Sequence, residues 1–230
     1  KNLKQAKTAL KNYSTLRQID GHGNTALHHA AENGFMEAVK LLIKYKCGLN
    51  AINNMGFTPL LVALQNYHTE VARELLNAGA SAYILSPKFD SALGLAIKLN
   101  ERELVNRIFA QPCEVDLRMR NLYCALGDIA ENGLESYVNL LILNGADLYY
   151  PMFEVDPPLC TSIKYGYPKM VKKWLSVGAP IERRDMRGYT PLMIAAEYNR
   201  IQITRILLWH GELFCNCCAK LSLEKIDRVI

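Results

Sequence analysis

The sequence predicts an all-α solenoid, a stack of helix-turn-helix units joined by loops. Three observations predict it. A short window recurs at one fixed interval without insertion or deletion: TALHHA from Thr25, TPLLVA from Thr58, SALGLA from Ser91, CALGDI from Cys124, PPLCTS from Pro157 and TPLMIA from Thr190. Its third column is Leu in every copy, at positions 27, 60, 93, 126, 159 and 192. A later pair of columns is apolar throughout, from Leu42-Ile43 and Leu75-Leu76 to Trp174-Leu175 and Leu207-Leu208.

Each window reads as the start of a short first helix. Thr25, Thr58, Ser91 and Thr190 can cap it, and Pro59, Pro158 and Pro191 fit a first turn whose amides have no partner within the helix. Gly34, Gly133 and Gly166 fall in the turn that follows. The second helix carries its apolar columns four and five residues apart, from Val71 to Leu75 and Leu76 for example, which places them on one face. Gly79, Gly145, Gly178 and Gly211 stand where such a helix needs a left-handed stop, a place taken by Lys46 and Pro112 in the other two units.

This pattern resembles the ankyrin repeat, whose signature is Thr-Pro-Leu-His-x-Ala in a unit of about 33 residues. The resemblance covers about residues 20–217 as six units, 20–52, 53–85, 86–118, 119–151, 152–184 and 185–217. It is closest in GNTALHHAAENG, GFTPLLVA and GYTPLMIAAEYN. The middle units drift: Gly23, Gly56 and Gly188 are replaced by Phe89, Leu122 and Val155. The resemblance implies that each connecting loop is a β-hairpin finger projecting from the helices. It also implies that the signature His28 bonds to neighbouring loop backbone. Units of this kind bury their faces against one another, so the ends need covering. Residues 1–19 are expected to form an N-terminal capping helix or partial repeat, and 218–230 a C-terminal cap or truncated repeat.

With 27 Lys and Arg against 22 Asp and Glu, the net charge of +5 gives no stripe of basic residues along the chain. No apolar run reaches membrane-spanning length, and the first residues lack the apolar core of a secretory signal. The chain does not begin with Met and is expected to belong to a longer protein. Seven Cys without framework spacing suit a reducing compartment, so an intracellular, cytoplasmic location is expected. No phosphate loop, nucleophile elbow or HExxH helix occurs, which argues against an enzyme and against a cofactor. His210, Cys215, Cys217 and Cys218 are the one set with metal-ligand chemistry, but adjacent cysteines rarely reach one zinc ion.

The resemblance implies binding through finger tips and the exposed inner-helix residues of a concave face. Residue chemistry directs attention to repeats four to six: Arg118, Met119, Arg120 and Tyr123, then Met152 and Phe153, then Lys164, Tyr165, Arg184, Arg187, Tyr189 and Tyr198. Met and Phe are unusual on a solvated turn, and Tyr, Met and Arg are enriched at interfaces. The arginines, with Lys164, predict an acidic protein segment carrying an apolar anchor. The alternatives are nucleic acid or a phosphorylated ligand held by the same Arg and Tyr residues, or a spacer or scaffold role in a larger protein.

Overall fold

The computed structural model describes residues 17–150 and 155–214. The chain divides into two compact units between Ala125 and Leu126. In the first, α1 (Ala26–Glu32), α3 (Pro59–Gln65) and α5 (Ala92–Lys98) form an inner row, and α2 (Met36–Lys44), α4 (Thr69–Asn77) and α6 (Arg102–Ala110) an outer row. Helix α7 (Val115–Asn132) contains the division. The second unit continues with a 3-10 turn (Glu135–Tyr137), α8 (Val138–Leu143), α9 (Pro158–Tyr165), α10 (Pro168–Ser176), α11 (Pro191–Glu197) and α12 (Ile201–Phe214). The expected caps at residues 1–19 and 218–230 fall almost wholly outside the described residues.

The local rules read from sequence operate as expected. The side chains of Thr25, Thr58, Ser91 and Thr190 accept from the backbone N–H three residues on and cap α1, α3, α5 and α11. Position 34 and its successors at 67, 100, 133, 166 and 199 are left-handed in every copy, although Tyr67, Asn100 and Asn199 are not glycine. Leu27, Leu60 and Leu93 are buried in the first unit, Leu126 and Leu159 in the second. His28 is buried. The Thr25 N–H donates to its Nδ1 at 3.1 Å, which assigns the proton to Nε2, and that nitrogen donates to the Phe57 carbonyl at 3.0 Å. The signature His is thus a tie between consecutive loops. Replacing His28 by Ala is expected to cost about 2 kcal/mol, read as a lower urea midpoint, because the buried Thr25 amide and the half-buried Phe57 carbonyl both lose a partner.

Two expectations need correction. Among the described residues the fingers are not β-hairpins; only an isolated bridge joins Ile19 and Thr25. Four of the fingers are instead each closed by one short polar side chain. Asp20, Asn53, Ser86 and Asp185, which share one column of the repeat, accept the N–H groups of the residues two and four positions on, at 2.8–3.2 Å. Each N–H also donates to the carbonyl four residues on, at 2.9–3.1 Å. With so few backbone pairs per finger, no ladder can form.

The second correction concerns the fourth finger. The same column carries Met119, which has no acceptor oxygen, and Leu122 replaces the left-handed glycine. Pro112 cannot adopt the left-handed stop that ends the other outer helices. Residues 115–132 accordingly wind into one 18-residue helix, and the predicted finger at Arg118–Arg120 is part of it. Gly211 likewise does not end its helix, since α12 runs on to Phe214.

Candidate protein-docking site

Helix α7 disperses the predicted residues of the fourth repeat. Tyr123 is fully buried and unavailable to a partner, because the helix turns its ring into the core. Arg118 donates to the Phe109 carbonyl at 2.8 Å, satisfying the end of α6. Met119 is half-buried and only Arg120 is exposed. Met152 and Phe153 lie outside the described residues, as do Cys215, Cys217 and Cys218. Among the described residues no group of three metal-ligating side chains forms around His210 or elsewhere. The described cysteines are free, and burial pushes the Cys160 thiol up to about 12, aided by Asp156 and Asp185, which leaves it unreactive.

The second unit gathers the remaining candidates into one arrangement. Lys164, near the end of α9, reaches Asp156 at 2.6 Å and Asp185 at 2.9 Å. Asp185 also takes Arg187 at 3.2 Å. Burial of this carboxylate raises its pKa, but Lys164, the Tyr189 N–H and Arg187 outweigh burial and hold it at about 2. Burial also opposes the charge on Lys164, and its two carboxylates reverse that effect and raise its pKa. Arg187 spans Asp185 and Glu197, 2.7 Å away, and lies over the Tyr189 ring at 4.5 Å from its centroid.

The cations predicted to meet an acidic partner are therefore largely occupied within the chain. Arg183 donates to the carbonyls of Leu148 and Tyr150, and Arg184 to that of Gly188. The residue types alone did not show this closure, because Asp156 and Asp185 lie 8 and 21 residues from Lys164; the repeat column that Asp185 shares with Asp20, Asn53 and Ser86 was the available signal.

Three rings stay accessible beside these charges. Tyr165, Tyr189 and Tyr198 retain 49%, 39% and 42% of their surface. Tyr165 is held in place: its hydroxyl donates to Glu131 at 2.5 Å and its ring stacks with Tyr167, centroids 6.4 Å apart and planes within 7°. The glutamate raises the hydroxyl's pKa, so the proton stays on the tyrosine. The result is a preorganised aromatic surface on a base whose two cations, Lys164 and Arg187, are already paired with carboxylates. Such a surface can offer apolar area and hydroxyl hydrogen bonds without ordering long side chains.

Paired helices stacked in this way define a class of helical repeat domains. The sequence profile described as ankyrin repeats (3 copies) matches residues 1–86 and 126–220, so this chain belongs to the ankyrin-repeat family. The unmatched stretch contains Pro112, Met119 and Leu122, where the fold departs from the regular unit. Ankyrin-repeat domains generally mediate protein–protein interaction.

Among solved structures, an ankyrin-repeat domain from Acinetobacter baumannii is similar with TM-score 0.62 and 25% identity, covering 80% of this chain and 97% of that one. The ankyrin-repeat domain of Bcl-3, a member of the IkappaB protein family, is similar with TM-score 0.63 and 26% identity over 82% and 87% of the two chains. A transient receptor potential cation channel subfamily A member 1 homolog of Caenorhabditis elegans is 24% identical over 84% of this chain. The chain spans 16% of that relative's length. No described helix is long and apolar enough to cross a membrane.

Proposed function

We propose that this chain is a protein-binding module whose partner docks on the inner-helix and finger surface of repeats five and six, around Tyr165, Tyr189 and Tyr198. The observation that carries this reading is the exposure of all three rings in the second unit together with the contacts that hold two of them in place, Tyr165 against Glu131 and Tyr167, and Tyr189 under Arg187. Aromatic residues held rigid by neighbours make effective anchors because little side-chain freedom is lost on binding. Arg184 and Arg187 flank the rings and order the finger that presents Tyr189. Compensation of Lys164 and Arg187 favours a partner segment that is apolar and hydrogen-bonding over one that is strongly acidic. The same compensation weighs against nucleic acid, whose affinity depends on releasing counterions from free phosphates.

A pull-down from cell lysate with the parent chain and a Tyr165→Ala, Tyr189→Ala, Tyr198→Ala variant tests this reading, once circular dichroism shows both folded. A protein retained by the parent and reduced at least about tenfold in the variant is the expected result, since losing anchor rings costs over about 1 kcal/mol each. Equal retention by both would remove the tyrosine surface from consideration. Nucleic acid copurifying in place of protein, with binding lost steeply between low and moderate salt, would replace the proposal with the nucleic-acid reading.

A further inference from the structure

The second unit carries another surface on its outer helices. Between α10 and α12 lies a groove of about 470 Å³ lined by residues including Lys172, Leu175, Arg205, Ile206, Trp209 and His210. Trp209 is 56% exposed. The equivalent position in the preceding repeats, taken backwards along the chain, carries Ser176, Leu143, Ala110, Asn77 and Lys44, so no other repeat places a large ring there. Burial in the repeat core does not explain this tryptophan, which is exposed, whereas Trp174 one repeat earlier fills that role.

Charge around the groove differs in kind from the rest of the outer helices. In the first unit each outer helix carries carboxylates beside its cations, and two arginines are matched on that surface, although Lys40, Lys44 and Arg102 make no ion pair with a described residue. Arg73 sits between Glu70 at 2.7 Å and Glu103 at 3.3 Å, and Arg107 pairs with Glu103 at 2.8 Å. In the second unit, α10 contributes Lys169, Lys172 and Lys173 and has no carboxylate, and the described side chains of α12 contribute Arg205 and no carboxylate. None of these four cations makes an ion pair with a described residue. An apolar groove with one exposed indole thus lies within a rim of uncompensated positive charge.

We propose that this groove docks an acidic segment of a partner protein, with one aliphatic or aromatic side chain of that segment entering between Leu175, Ile206 and Trp209. Carboxylates flanking the anchor meet Lys172 and Arg205, which have no ion pair with a described residue to give up. This complementarity steers association, and the buried anchor sets the residence time. The surface is separate from the tyrosine face, so either is testable without the other. A protein segment fits better than a lipid surface because the apolar residues line a recess between the cations. Membrane-binding faces present apolar side chains at their outermost edge.

The test uses the full chain and short fluorescein-labelled synthetic peptides with Glu and Asp flanking a central Leu, Phe or Trp. Fluorescence polarisation is followed at low and moderate salt. At least one acidic peptide is expected to bind, while the matching peptides with Lys in place of Glu and Asp do not. Lys172→Glu with Arg205→Glu is expected to weaken binding at least about tenfold, as is Trp209→Ala, with the thermal midpoint of each variant within a few degrees of the parent. A blue shift of Trp209 emission with an unlabelled peptide checks the same contact, since Trp174 is already buried. The proposal is overturned if no acidic peptide binds, if the Lys peptides bind equally, or if affinity survives both variants. It is also overturned if only phosphatidylserine vesicles bind and the same substitutions release them, since the surface is then a membrane contact.

Discussion

Replacing Trp174 by Ala is expected to destabilise the second unit by about 3–5 kcal/mol, the largest single loss expected in this chain. The indole is fully buried, and its Nε1–H donates to the Ser162 hydroxyl at 2.8 Å, itself bonded to the Ala130 carbonyl at 3.4 Å. Truncation leaves a cavity larger than the helices can close and removes the donor from a buried Ser. In a repeat fold each unit is held by its neighbours, so the loss should stay near its source. Hydrogen exchange should show amides of α9, α10 and α12 losing protection while those of α1 to α4 keep theirs. A uniform loss across both units would mean that the chain unfolds as one cooperative body.

Asp185→Ala is expected to cost about 3 kcal/mol and to deform the sixth finger. Its side chain is 0% exposed and accepts from Lys164, from Arg187 and from the backbone of Arg187 and Tyr189. Removal leaves Lys164 with Asp156 alone and opens the turn that presents Tyr189. Asp185→Asn keeps the backbone bonds and loses the charge, so about half that cost is expected. Acid separates these effects. The folded carboxyl sits at about 2 against an ordinary 3.8, so its contribution is complete above 3.8 and is lost as pH falls toward 2. Urea midpoints taken from neutral pH down into this window should fall less steeply for Asp185→Asn than for the parent. Equal slopes would show that this pair does not govern acid stability.

The finger column shows how much was legible and where legibility stopped. The fixed spacing of the repeat aligned the Leu core, the caps and the interhelical turns, but the polar column that closes four of the fingers was not read from it. Met119 in that column cannot close a finger, and the helix that results was not read from sequence either. Losing a turn signal says that a finger is weakened; it does not say what replaces it. That outcome needed Pro112, Met119 and Leu122 together, and the burial of Asn121 to Ala125 that rewards continuing the helix.

Leu192 makes the same point about packing. It belongs to the Leu column, and its predecessor Leu159 is 2% exposed, but Leu192 is 40% exposed among the described residues. Sequence identity at a position cannot report whether a neighbouring helix covers it.

By itself the sequence determined the repeat, its period, the helix boundaries set by capping and turn residues, and membership of the ankyrin-repeat family. These follow from short-range rules, in which each residue acts on backbone within a few positions of itself. Tertiary structure alone decided which side chains remain available. Tyr123 went into the core while Tyr165, Tyr189 and Tyr198 stayed outside; among the described residues Lys164 and Arg187 found carboxylates while Lys172 and Arg205 did not. Exposure and charge pairing depend on residues well separated along the chain meeting in space, and those distances are fixed only when the helices pack.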